Sequence, residues 1–428
     1  MRKFSLLISA ALILQMYCFT QQAYAQDIKY DFSGIIYEQP SLFNIQNDNL
    51  LNPDNDILNF SSWTNRLYGR VALNLISKKF KFISQTRPTL FSEEGDTELD
   101  FFTDDAYVDL EVYQGYFIYI GKRNLRDVVA YGSNPTDFMG EDKEVDFTKR
   151  EEERRVEREG NYLIGGEAYF SNITLSVAYA PTINDVQDED DRFLLKGNLF
   201  AESINSDMSA HYFHGDLPGV GFDLSSTVSD NLVLHAEGAF RWGSNNKVIS
   251  VVSEGNSTTP REFAITDKDD DDDIYANIVI GGSYTLGDGT NIILEYIYNG
   301  LGYSDDEWDT IDAFIKYNEN AYRNNFFTGL ATSNLAEANE IMNFRAMRKN
   351  YLFTRISNST HFENVDGQLV FLINIDDGSF LTFPSVDYKL AENMIIGMSA
   401  SVYAGEEDSE FGLLYWNSEA SFVFKYYF

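Results

Sequence analysis

The chain has a single cysteine, few prolines and no apolar run long enough to cross a bilayer as a helix. Each shortage excludes something. Cys18 lies in an N-terminal stretch with the form of a targeting signal. There, Arg2 and Lys3 precede an apolar run from Phe4 to Tyr17, and Ala23-Tyr24-Ala25 has the small-x-small form of a cleavage site. Residues 1–25 are therefore expected to be removed as a signal peptide, and residues 26–428 to form one domain. A lipoprotein processed at Cys18 would need a small residue before it, where bulky Tyr17 stands. Without that cysteine no disulfide framework is available. No other stretch approaches the roughly 18 apolar residues of a spanning helix. Bases are scarce too: 32 Lys and Arg against 67 Asp and Glu, a formal charge of −35. Such acidity repels nucleic acid, which is excluded as a partner. G-x-S-x-G, a phosphate-binding glycine loop and H-E-x-x-H are all missing, so neither catalysis nor a cofactor is expected.

Rings are abundant, with 33 Phe and 27 Tyr, far more than a disordered acidic chain carries. The charge must be segregated from them, and the pattern has a period of two. In the last stretch, Ser418, Ala420, Phe422, Phe424, Tyr426 and Phe428 share one face, and Glu419, Ser421, Val423, Lys425 and Tyr427 share the other. In NLVLHAEGAFRW, Leu232, Leu234, Ala236, Phe240 and Trp242 oppose His235, Glu237 and Arg241. Segments of this kind recur about 18 times, at the 9–11 residues a tilted strand needs to cross hydrocarbon. No propeller repeat of about 40–50 residues competes with this reading.

Short and long connections also alternate. Residues 77–79, 171–172, 229–231, 287–290 and 391–393 are short; 39–62, 91–103, 123–159, 181–191, 244–272 and 303–349 are long. The expected fold is an all-β, antiparallel up-and-down transmembrane barrel of about 18 strands, in the outer membrane of a diderm bacterium. Its termini are expected in the periplasm and its long loops outside. Closure would pair the last strand with the first, and the rings of the last strand would meet lipid at the periplasmic interface.

The lumen follows from parity. With Leu67, Val71, Leu73 and Leu75 outward, Arg66, Tyr68, Arg70 and Asn74 point inward; the next strand adds Lys81, Gln85 and Arg87. Arg123, Lys196, Arg241 and Arg355 follow, with Asp109, Glu111, Glu167, Asp223, Glu237 and Glu295 as inward acids. A cluster of bases on adjacent strands lowers the energy of an anion in a water-filled pore. The alternative is that the bases pair with inward acids and brace the wall.

Other candidates are weaker. His211 and His214 fall three apart in a strand, on opposite faces, and are poorly placed to share a metal ion. His214 beside Asp216 is the one arrangement a barrel hydrolase would use, with a plain polar turn as the competing reading. The acidic runs 185–192 and 266–274 offer oxygen ligands for calcium but lack EF-hand spacing, and self-repelling solvated loops look the same. In the 303–349 loop, Leu335, Ala338, Met342 and Arg345 have helical spacing, and Asn334 and Glu337 stand at capping-box separation. Such a loop is expected either to constrict the mouth or to roof it.

The stretch YIGKRNLRDVVAYGSNPTDFMG, with Gly121, Lys122 and Arg123 leaving a strand and Asn134, Pro135 and Asp137 in a turn, resembles alginate-export-type and related porin-like outer-membrane proteins. The closing hairpins from Asn374 to Gly412 resemble such barrels too, although Ala130-Tyr131-Gly132 stands where that family has tryptophan-glycine. Terminal Phe428 resembles the signal that outer-membrane proteins present to their assembly machinery. The resemblance implies an 18-stranded barrel exporting an anionic polysaccharide. The leading expectation is passive passage of polar, anionic solutes or of such a chain. An adhesin or receptor acting through the loops comes second, and a barrel-borne hydrolase third.

Overall fold

The computed structural model describes residues 28–125, 129–140, 157–183, 186–187, 191–255, 259–268, 273–342, 346–362 and 364–428. The expected signal peptide lies outside these, as do Arg345 and, in the two acidic runs, residues 185, 188–190 and 269–272. Among the described residues there are twenty strands. In order they are β1 (Lys29–Ile45), β2 (Trp63–Ile76), β3 (Phe80–Glu93), β4 (Asp96–Tyr113), β5 (Tyr116–Arg123), β6 (Asn161–Tyr169) and β7 (Ile173–Ala180). Then come β8 (Arg192–Ala201), β9 (Ser206–His214), β10 (Gly219–Ser229), β11 (Leu232–Trp242), β12 (Lys247–Ser253) and β13 (Glu262–Asp267). The last are β14 (Ile274–Thr285), β15 (Asn291–Asn299), β16 (Asn350–Phe362), β17 (Val365–Asn374), β18 (Phe380–Ala391), β19 (Met394–Ala404) and β20 (Trp416–Tyr427).

Eighteen of them form one sheet in which each pairs antiparallel with its neighbour. β20 returns to β1, so the sheet closes and leaves no edge to pair with another chain. Gly34 and Phe428 exchange both backbone hydrogen bonds at 3.0 Å across this seam. The Phe428 ring lies over Gly34, where a Cβ would stand 2.2 Å from the ring. Glycine is needed there so that the last ring can cover the joint. β12 and β13 form a separate hairpin within the 243–273 connection.

The two faces sort as parity predicts. Ser421 and Lys425 on β20 are buried, whereas Phe422 is 52 % exposed on the outer surface. Around the barrel the outer face carries rows of exposed Leu, Ile, Val and Phe. Each would forgo about 1.5–3 kcal/mol if left in water. Aromatic girdles bound this apolar band: Tyr30, Tyr113, Tyr169 and Tyr388 near the tight turns, and Trp63, Tyr162, Tyr212 and Trp242 near the opposite rim. An apolar outer band between such girdles, on a closed barrel, is the outer-membrane architecture; hydrocarbon is its solvent.

Tight turns such as 77–79, 114–115, 170–172, 230–231 and 392–393 lie at the end that holds both the start of β1 and Phe428. The long connections 46–62, 124–160, 181–191, 243–273, 300–349 and 405–415 lie at the other. The expected long loop at 91–103 is a correction. β3 and β4 stay paired through Glu93↔Asp96, and only Glu94 and Gly95 turn, both at positive φ. The polar run Ser92–Asp100 misled because a strand rising out of hydrocarbon no longer needs an apolar face.

The 300–349 connection holds two helices, α1 (Asp305–Arg323) and α2 (Thr328–Ile341). Ser304 and Glu307 cap α1 reciprocally, each side chain meeting the other's backbone N–H. Asn334 is not a cap, as its spacing to Glu337 suggested: it lies inside α2, which starts after Phe327. Met342 follows the last helical turn. Trp308, Ile311, Phe314 and Ile315 of α1 and Leu335 and Ala338 of α2 bury against Leu50 and Leu51, Ile249, and Leu413. Three other long connections are thereby gathered into one apolar cluster, which roofs the mouth rather than entering the bore.

Candidate functional site

Among the described residues, the segment that enters the bore is 129–140, which follows β5 in the chain. Its backbone turns inward and needs acceptors there, which two wall carboxylates provide. Glu237 on β11 accepts from the N–H groups of Val129 (3.1 Å), Ala130 (3.0 Å) and Thr136 (2.9 Å) and from the Thr136 hydroxyl (2.8 Å). Glu295 on β15 accepts from Tyr131 and Gly132 N–H at 2.9 and 2.7 Å, and shares a 2.6 Å hydrogen bond with His235 Nε2. Ala130 is completely buried among Val279, Ile293, Ile297 and Phe353. Phe138 packs on the opposite side, stacked on Phe213 at 5.1 Å. A peptide in an apolar environment keeps its place only if its amides are met. The two glutamates meet them, and the segment narrows the bore.

The bases read from parity are on the inner face, and most have partners. β4 carries a bulge: Gln85 pairs with Asp105 but Thr86 with Thr103, so Asp104 is the extra residue and both acids are buried. Asp104 accepts from Gln85 Nε2 (3.1 Å) and from Arg87 Nε (3.3 Å) and Nη2 (3.2 Å). Arg70 lies 3.6 Å from Glu157, which also takes the Tyr68 hydroxyl at 2.5 Å. Arg123 meets Glu167 at 3.0 Å with its guanidinium 4.1 Å from the Tyr119 ring centre. Lys196 stands 3.7 Å from Asp223, which holds His211 Nε2 at 2.7 Å. Arg241 lies against the Phe138 ring at 4.7 Å and donates to the Pro135 carbonyl at 3.4 Å.

Arg66 and Lys81 share the inner rows of Tyr68 and Gln85. Arg355 lies on β16 opposite Ile293, beside apolar inner residues. Glu111 stands at the tight-turn end, where it accepts Gly115 N–H at 3.4 Å. His211 is buried and His214 exposed, on opposite faces as spaced. Asp216 accepts from Asn245 at 2.9 Å.

Two cavities flank the inward segment. One, of about 440 Å³, lies between it and the β3–β9 wall and is lined by Asp105, Arg123, Glu167, Lys196 and His211 among others. The second, of about 370 Å³, lies between it, the ends of β14 and β15 and the underside of the roof. Asp137, tied to Arg158, borders both. The wall opposite the first cavity is apolar: Val279, Ile293, Ile297, Tyr351, Phe353 and Val370, covered by Phe411 and Leu414 of the 405–415 connection.

Parity could not show that a wall is apolar where a loop covers it, nor which loop enters. One signal was present: Val128–Ala130 and Phe138-Met139 make 128–140 apolar, in a protein whose other long loops are acidic.

No protein-family model matches the chain, and no curated protein matches it in sequence. Among solved structures it is similar to Acinetobacter baumannii OccAB1, with 9 % identity, a TM-score of 0.56, and 93 % of this chain and 96 % of that one covered. It is also similar to Pseudomonas aeruginosa OccK5 (OpdH), at 9 % identity and a TM-score of 0.51, covering 94 % and 98 % of the two chains. Both are outer-membrane porins, and at such identity the likeness is one of fold.

Proposed function

We propose that the chain is an outer-membrane channel for passive passage of small polar solutes, with residues 129–139 as its constriction. The observation that carries this is the inward segment pinned by Glu237 and Glu295 between two cavities of mixed polar and apolar lining. Small solutes can pass such a segment in place. A polysaccharide chain, the cargo implied by the family resemblance, would have to displace it and the helical roof, so small solutes are the better-supported cargo. The tight turns and both termini face the periplasm, the roof faces outside, lipid covers the apolar band, and Phe428 at the seam is the group offered to the assembly machinery.

The ion pairs favour a mixed-charge wall over a bare basic ladder. Arg70 and Arg87 are held by Glu157 and Asp104, so the anion preference that remains comes from Arg66 and Lys81 on two adjacent strands. In a planar bilayer under a salt gradient, the refolded protein should show open steps with mild anion selectivity. Replacing Arg66 and Lys81 by Gln should lower the anion-to-cation permeability ratio about twofold. An absence of steps would end the channel reading and favour a barrel that acts through its loops.

A further inference from the structure

Resting on the channel reading, we infer that the cavity beneath the roof is a binding site for a neutral, polyhydroxylated solute of the sugar type. Its lining includes four asparagines drawn from four different segments: Asn134, Asn246, Asn277 and Asn299. Three of them commit one end of the carboxamide to the backbone, which fixes how each group is turned. Asn246 donates to the Leu301 carbonyl, and Asn299 donates to the carbonyls of Ala346 (2.6 Å) and Arg348 (3.2 Å). Asn277 accepts from Gly300 N–H at 3.0 Å. The ends left over are two carbonyl oxygens and one amino group. Asn134 lines the same cavity, and its own carbonyl oxygen is buried without a protein partner.

This set selects its ligand. A carboxylate or phosphate needs donors, and both guanidiniums in the lining are engaged: Arg158 by Asp137, Asn124 and the Leu125 carbonyl, Arg241 by the Pro135 carbonyl and the Phe138 ring. Two acceptors with one donor suit hydroxyl groups, which donate and accept alike. Ile297, Met347 and Leu372 supply an apolar side for the C–H face of a sugar ring. The volume, about 370 Å³, lies within the size class of small-molecule pockets. Because Asp137 borders the next cavity as well, a solute held here stands at the entrance to the narrow passage.

The test is calorimetric titration of the refolded, detergent-solubilised barrel with glucose, maltose and, as the anionic control, gluconate. Glucose or maltose should bind, and gluconate should bind no more tightly than glucose. Asn134→Ala removes a side chain that makes no hydrogen bond within the protein, so the fold should stand while Kd rises about fivefold. Asn277→Ala should weaken binding by a similar factor. No heat from either sugar, preference for gluconate, or unchanged affinity in both variants would overturn the site. Bilayer currents separate this from the channel reading: a barrel that binds maltose yet never conducts keeps the site and loses the channel. A conducting barrel that binds neither sugar does the reverse.

Discussion

Replacing Glu237 by alanine should release residues 129–136 from the barrel wall and widen the channel. The carboxylate meets four donors: the N–H groups of Val129, Ala130 and Thr136 and the Thr136 hydroxyl. Alanine leaves all four without an acceptor in a place where Ala130 has no contact with solvent. An unmet buried donor costs about 1–3 kcal/mol, so even the low end of that range gives about 4 kcal/mol against the docked segment. That is roughly a thousandfold shift toward release. Glu295 still holds Tyr131 and Gly132, so Glu237→Ala combined with Glu295→Ala should release the segment more fully. Two readouts check this: a larger single-channel conductance, and chymotrypsin cleavage after Tyr131, which is protected while docked. Glu237→Gln keeps one carbonyl oxygen among the donors and should fall between wild type and alanine. Wild-type conductance together with wild-type protection in the double variant would mean that the two glutamates do not position the segment.

Much of this molecule was legible because hydrocarbon imposes a strict period. On β2, β11 and β20 a single choice of apolar parity put Tyr68, Glu237 and Lys425 inside, and the structure has them there. The limits were physical. Parity assigns a face but not a partner, so Arg87 read as a base in a pore, and the bulge that brings Asp104 to it is invisible in alternation. Alternation also fades beyond the membrane, which hid the Glu94-Gly95 turn. The roof was half-read. Helical spacing from Leu335 found α2, while the longer α1 went unnoticed although Ser304 and Glu307 have capping-box spacing. What enters a lumen depends on buried acceptors remote in sequence: Glu295 lies 164 positions from the Tyr131 amide it holds.

The roof should loosen as pH rises through neutrality, with Glu410 setting the sign. This residue is fully buried in the 405–415 connection. It accepts from Met347 N–H (2.9 Å), from the Tyr351 hydroxyl (2.5 Å) and from Asn374 (2.8 Å), while its own N–H donates to Asp377 at 2.9 Å. It therefore fastens the chain just after α2 to the rim of the barrel. Burial pushes its carboxyl up to about 7; Asp377 works in the same direction, against the Tyr351 and Met347 hydrogen bonds and the Arg348 charge. Once undocked, the carboxyl returns to about 4.3. Between those values the docked form holds a proton that the undocked form gives up, so acid favours docking. The stabilisation is complete below about pH 4.3 and is lost as pH rises through the docked value of about 7, at roughly 4 kcal/mol across the window. Hydrogen exchange of α1 and α2, corrected for the intrinsic pH dependence, should show protection falling from about pH 5 to about pH 8. Glu410→Gln keeps the shape without the titration and should flatten that fall. A slope that survives in the glutamine variant would mean that Glu410 is not the sensor; a flat wild type would mean that this latch does not titrate at all. The direction separates this latch from a surface carboxylate held by a lysine, as Asp408 is by Lys316, where the lowered carboxyl makes the contact weaken in acid instead.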